Sequence, residues 1–318
     1  MGRAAVQALV GGGSDSRLAE ARAELARKIA SHIQHAGEKA TVVPGLTLYR
    51  RTQPTPCNPV ISQPSLTVFA QGRKRVNLGG RVYGCDETTF LLASVSVPVT
   101  SQIIMASEQL PLLSLHLTIE MPMVRDVLSR GEFPEPTIPS EVRSLVVGKT
   151  TRELLSVCSR LLDLLDAPQD IPFLAASIQR EIVYRLLRSP EGGCLRALAA
   201  LGGPSHRTAL AVAWLQAHYD KPLRMEELAA VVRMGVSTLH HHFRTLTGTS
   251  PLQYQKQLRL HAARERMLKD GLDAASAAFE VGYESASQFN REYRRFFGQP
   301  PRRDLNRLRA ADPAAWST

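Results

Sequence analysis

One stretch of this chain occurs twice, and the second copy lies 50 residues after the first: VSTLHHHFRTLTG, Val236 to Gly248, returns as SASQFNREYRRFFG, Ser285 to Gly298. At that offset Leu228 pairs with Ala278, Val231 with Val281, Leu239 with Phe289, Phe243 with Tyr293, Leu246 with Phe296, Gly248 with Gly298 and Pro251 with Pro301. Each copy reads as a short helix (Met225 to Val232; Asp273 to Val281), a tight turn near Gly235 or near Gly282 and Tyr283, and a longer helix closed by a glycine C-cap. A repeat of this kind constrains the last third of the chain to a small all-helical domain with two helix-turn-helix units.

Three adjacent histidines, His240 to His242, invite a metal reading, but consecutive helical residues point about 100° apart and cannot converge on one ion. On a helical wheel Leu239, Phe243 and Leu246 form the packed stripe, while Ser237, His241 and Arg244 lie opposite. In the second copy Phe289 marks the packed side and Ser287, Asn290, Arg291 and Arg294 the outer one. Hydroxyl, amide, imidazole and guanidinium groups are the types that bond base edges and phosphates. Ser285 is a strong N-cap for the second long helix, and Gly235 a weaker one for the first. Between the copies, Pro251 to Asp270 reads as one helix with Leu260, Ala263 and Met267 on a common face. Its span of roughly 30 Å is close to the rise of one DNA turn, about 34 Å.

These residues resemble the AraC/XylS transcription regulators. The resemblance rests on LAAVVRMGVSTLHHHFRTLTGTSPLQYQKQLRLHAARERML followed by VGYESASQFNREYRRFFGQPP, about 100 residues. It implies a seven-helix DNA-binding domain with recognition helices at Val236 to Thr247 and Ala286 to Phe297. Carried over position by position, the implied base contacts are Ser237, His240 and His241 in the first helix and Ser287, Asn290 and Arg291 in the second, with Arg244 and Arg294 beside them. Histidine stands where glutamine and arginine are frequent in the family, and imidazole makes no bidentate contact to guanine.

The preceding 200 residues have a different character. From 45 to 120, short apolar runs are separated by Gly, Pro and polar pairs, the pattern of β-strands. LLSLHLTIE alternates, with Leu113, Leu115, Leu117 and Ile119 on one face and Ser114, His116, Thr118 and Glu120 on the other, predicting a half-buried strand. From about Glu141 to Leu201 the pattern turns helical, with breaks at Pro168, Pro172 and Pro190. Through GLTLYR, FAQGRKRVNLG, SVSVPV and QREIVYRLL this half resembles the regulatory domain of one branch of the same family. The resemblance implies a cupin-like β-barrel, an effector within it and helices that dimerise. Cupin enzymes bind metal through HxH, Glu and a later His, whereas residues 40–125 contain one histidine, His116. A sensor domain with no catalytic site, no cofactor and no metal is therefore expected, with His116 as the candidate effector contact. The alternative is a cupin-type enzyme domain fused to a DNA-binding domain.

The expected architecture is α+β: an N-terminal cupin-like β-barrel with flanking helices, then an all-α domain with two helix-turn-helix motifs joined by a linker helix. Its expected divisions are a disordered lead at 1–16, an effector-sensing and dimerisation domain at 17–200, a linker at 201–207, the DNA-binding domain at 208–310 and a tail at 311–318. Charge agrees with a polyanionic partner: 17 Lys and Arg against 11 Asp and Glu from residue 205 onward, 22 against 18 before it. Cys57, Cys85, Cys158 and Cys194 are too scattered for a zinc module or a disulfide framework, so reduced thiols and a cytoplasmic location are expected. His32 and His35 read as packing or solvated residues. The N-terminal segment is too short in apolar residues for a signal or a membrane span. Leu154, Leu155, Leu161, Leu162 and Leu165 exceed what one narrow stripe requires, and a second subunit is expected to cover some of them. The expected partners are thus double-stranded DNA, a small-molecule effector, a second copy of the chain and RNA polymerase.

Overall fold

The computed structural model describes residues 3–133 and 142–311. The first element, α1 (Arg3–His32), begins inside the lead expected to be disordered. Ten strands follow among the described residues: β1 (Gly37–Ala40), β2 (Leu46–Arg51), β3 (Asn58–Ser62), β4 (Ser65–Gln71), β5 (Arg73–Leu78), β6 (Arg81–Cys85), β7 (Thr89–Ala93), β8 (Val97–Met105), β9 (Leu112–Thr118) and, after α2 (Met121–Leu128), β10 (Leu145–Lys149). Three helices complete this half: α3 (Arg152–Asp163), α4 (Ile171–Arg188) and α5 (Gly193–Ala199).

The strands form two antiparallel sheets, one ordered β1-β2-β9-β4-β7-β10 and the other β3-β8-β5-β6. The barrel foreseen from the sequence is thus built as a sandwich. One face of the larger sheet, with Leu48, Leu66, Leu115 and Leu117, packs against Leu25 and Ile29 of α1 and Leu155, Leu161 and Leu162 of α3. Its other face, through Phe69, Leu91 and Ala93, meets Val76, Leu78, Val97 and Val99 of the smaller sheet. Strand β9 is consequently covered on both sides, and Ser114, opposite the leucine stripe, is buried as well.

The leucines of α3 have the same explanation. Leu154, Leu155, Leu161 and Leu162 are buried within this one chain because α1, α4 and the sheet surround α3, and Leu165 packs at the edge of that core. The apparent surplus therefore serves an intramolecular core, each fully buried side chain contributing about 1.5–3 kcal/mol.

The linker is shorter than expected. Helix α6 (Pro204–Ala217) starts with Pro204 in its first turn, where proline's missing N–H costs nothing, so residues 200–203 alone join α5 to α6. Then come α7 (Met225–Val231), α8 (Val236–Thr247), α9 (Pro251–Lys269), α10 (Ala274–Glu280), α11 (Ala286–Phe297) and α12 (Pro301–Ala311). Beyond Ala311 the expected tail lies outside the described residues. Helix α9 belongs to two small cores: Tyr254 and Leu258 pack with Leu239 and Phe243, and Leu260, Ala263 and Met267 with Phe289 and Tyr293.

The repeat holds with one adjustment. In the long helices the offset is 50, but the short helices α7 and α10 superpose at 49: Leu228, Ala229 and Val232 are buried, as are Ala277, Ala278 and Val281. Val231, paired by sequence with Val281, is 52% exposed and matches Glu280 instead. The extra residue lies in the second turn. Both turns leave their short helix through a left-handed residue, Arg233 with φ 53° and Gly282 with φ 86°. The following N–H in each, of Met234 and Tyr283, donates 3.0 Å back to the carbonyl of Ala229 and Ala278.

Candidate nucleic-acid interface

Each recognition helix is fixed by its inner face and its ends. In α8, Leu239, Phe243 and Leu246 are buried; Gly248, with φ 72°, ends the helix and donates 2.9 Å to the carbonyl of Arg244. In α11, Phe289, Tyr293 and Phe297 are buried, Ser285 accepts from the Gln288 N–H, and Gly298, with φ 79°, terminates the helix. Burial of every third or fourth residue turns the remaining face outward. Ser237, His240, His241 and Arg244 on α8, and Ser287, Asn290, Arg291 and Arg294 on α11, are all exposed. None of the eight side chains hydrogen-bonds or ion-pairs with another described residue. The ring of His241 stands edge to face with that of His242 at 5.4 Å. Polar groups held on rigid helices with no internal partner are free to bond a ligand.

The two faces are locked together by α9, whose 19 residues span about 28 Å. Arg259, half-buried on α9, donates from Nε to the Tyr219 carbonyl at 2.6 Å, from Nη1 to Gly282 at 2.8 Å and from Nη2 to Lys221 at 2.9 Å. It ties the turn before α11 to the loop that precedes α7. Gln255 adds a 2.7 Å donation to Lys221, and Lys256 reaches Glu292 of α11 at 3.2 Å. At the far end Asp304 of α12, fully buried, accepts from Tyr293 at 2.9 Å and pairs with Arg264 of α9 at 2.9 Å. Of the arginines after Pro300, Arg307 pairs with Asp304, Arg309 donates to the Met267 carbonyl, and Arg302 and Arg303 are exposed.

A second constellation lies between the sheets of the N-terminal half. His116 of β9 is paired in register with Thr47 and Thr67, on the side of its sheet that faces the smaller one. Its Nδ1 is 3.2 Å from Thr67 Oγ1, and its ring stands edge to face with Tyr49 at 6.2 Å. Burial, aided by the nearby Lys74 charge, pushes the imidazole down to about 4, so it is neutral near pH 7. Lys74 of β5 is half-exposed by its surface yet makes no hydrogen bond or ion pair with a described residue, and desolvation lowers its pKa from the usual lysine range. The thiol of Cys85, opposite Lys74 in the β5–β6 ladder, is pushed up to about 12 by burial and is no thiolate. The pattern in the sequence pointed to His116; Lys74 escaped it because QGRKRVN carries three basic residues in a row and only the pleat shows which one points inward. Among the described residues no three His, Cys, Asp or Glu side chains gather as metal ligands would.

Comparison with known proteins bears on both halves. The profile of the AraC-type transcriptional regulator N-terminus matches residues 42–194, and that of a helix-turn-helix domain matches residues 228–307. The chain belongs to the AraC/XylS family. Its relatives there include the transcriptional regulator ArgR of Pseudomonas aeruginosa, 27% identical over 49% of this chain and 47% of ArgR. ExsA of the same organism is 25% identical over 56% of this chain and 62% of ExsA. The matches span about half the length of these curated relatives. Among solved structures, ToxT of Vibrio cholerae, bound to (E)-4-(8-methylnaphthalen-1-yl)but-3-enoic acid, superposes with a TM-score of 0.56 at 13% identity. That superposition covers 82% of this chain and 97% of ToxT, and shows that the two share a fold. The AraC/XylS pattern thus spans both the sandwich and the double helix-turn-helix domain.

Proposed function

We propose that this chain is a sequence-specific DNA-binding regulator of transcription that acts in the cytoplasm and answers to a small molecule. The reading is carried by the two exposed, internally unpartnered polar faces of α8 and α11, held on one rigid helix about as long as a DNA turn. Ser237, His240, His241 and Arg244 contact one major-groove segment, and Ser287, Asn290, Arg291 and Arg294 the next on the same side of the duplex. Selection from randomised duplexes tests this directly. Two short conserved segments about one helical turn apart are expected, and a pool no different from the starting library would refute sequence-specific reading.

The effector lies between the two sheets, against His116, Thr67, Tyr49 and Lys74. A neutral imidazole and a lysine without an ion-pair partner among the described residues suit a small ligand that brings a hydrogen-bonding or anionic group between the sheets. A homodimer is supported by α4, which leaves Phe173 79% and Leu174 46% exposed beside one another. RNA polymerase is the further partner that a regulator of this family would meet at a promoter.

A further inference from the structure

The first recognition helix does not stand clear of the N-terminal half. The β5–β6 turn, Gly79–Gly80, lies against the end of α8 so closely that a Cβ on Gly79 would fall 2.6 Å from the Gly248 carbonyl oxygen. Leu246 of α8 is buried with Val76 and Leu78 of the sandwich, and its carbonyl accepts from the Ser144 N–H at 3.2 Å. Beside this contact lies an open hollow of about 290 Å³ shared by the two domains. Arg81, Tyr83 and Arg143 line it from the N-terminal half, and His241 and Arg244 from α8. Arg81 and Arg244 are exposed, and neither guanidinium makes a hydrogen bond or ion pair with a described residue. Two exposed guanidiniums without an ion-pair partner among the described residues, held on either side of one hollow, attract the phosphates of a nucleic-acid backbone.

We propose that Arg81 contacts the DNA backbone next to the half-site read by α8, so that the sensor domain itself forms part of the DNA-binding surface. The inference rests on the reading of α8 as a recognition helix, since His241 and Arg244 belong to both the reading face and the hollow. A guanidinium on a rigid hairpin supplies a phosphate contact that adds affinity without base preference.

The test uses the full chain and a labelled duplex carrying its selected site, titrated over a range of KCl concentrations with wild type, Arg81→Ala, Arg81→Lys and the His240→Ala/His241→Ala double variant. Arg81→Ala is expected to weaken binding about fivefold on every duplex, to lower the slope of log affinity against log salt by about one, and to leave the selected motif intact; Arg81→Lys restores most of the loss. An unchanged Kd and slope overturns the proposal, as does tighter binding, which would make the hairpin an obstruction. A thermal shift with inorganic pyrophosphate that depends on Arg81, in a protein whose DNA affinity does not, would assign the hollow to a small anion and also overturn it. The histidine variant reports separately on α8: if the motif survives it, the reading of that helix fails whatever Arg81 does.

Discussion

The phenolic hydroxyl of Tyr254, on the linker helix of the DNA-binding half, donates a 2.8 Å hydrogen bond to the backbone carbonyl of Ser96 between β7 and β8 of the sandwich. The same ring is fully buried and stands edge to face with Phe243 of the first recognition helix at 5.5 Å. One residue therefore joins the sensor domain, the linker helix and a DNA-reading helix. Tyr254→Phe keeps the ring and orphans a buried carbonyl, so it is expected to cost about 1–3 kcal/mol in chemical denaturation of the full chain. No loss of stability would mean that the contact contributes nothing to holding the halves together.

The two turns respond differently to substitution. A Cβ at Gly282 would meet the Asp220 carbonyl oxygen at 2.0 Å, on backbone already at φ 86°, so Gly282→Ala should destabilise by about 2 kcal/mol or more. Arg233 holds a similar left-handed conformation with a side chain, which costs roughly 1–2 kcal/mol. Arg233→Gly is thus expected to stabilise by up to about 1 kcal/mol, because glycine relieves the strain but orders at greater entropic cost. Thermal melts of the two variants moving in the same direction would contradict this account.

Base reading should be unequal between the helices. Arg291 is exposed on α11 with no partner, and a fork to guanine O6 and N7 would give Arg291→Ala a cost of about 1–3 kcal/mol on the best site and relaxed preference at one position. His240 and His241 offer no such fork, so their double alanine variant should alter the selected motif less. Selection with both variants decides it, and a larger effect from the histidine pair would reverse the assignment.

Acid should destabilise the fold through two histidines. Burial holds His116 down to about 4 and His261, which packs against Phe296 and Phe297, down to about 3, both below the unfolded value near 6.5. The unfolded chain therefore binds more protons between those limits, and stability present above about pH 6.5 is lost as pH falls toward 3–4. Each histidine contributes at most about 1.4 kcal/mol per pH unit, less for the partly exposed ring of His116. His261→Phe should flatten the loss measured by denaturation between pH 6.5 and 4.5; an unchanged pH slope would show that its ring does not resist protonation.

Local pattern determined much of this protein before any tertiary contact was considered. The repeat of Leu239, Phe243 and Leu246 as Phe289, Tyr293 and Phe296, each with a glycine seven or more residues past its first member, fixes two amphipathic helices and their ends, because a 3.6-residue period and a left-handed cap are properties of short segments. The outward placement of Ser237, His241, Asn290 and Arg291 follows from the same period. Contacts between distant segments were decided elsewhere. That α3 spends its leucines on α1, α4 and the sheet, that β9 is covered on both faces, and that Lys74 rather than Arg73 or Arg75 turns inward all depend on which layers meet, and apolar side chains do not specify their partner. The same holds for Arg81 and Arg244, more than 160 residues apart in the chain, which share one hollow because a two-glycine turn allows the β5–β6 hairpin to lie against the end of a recognition helix.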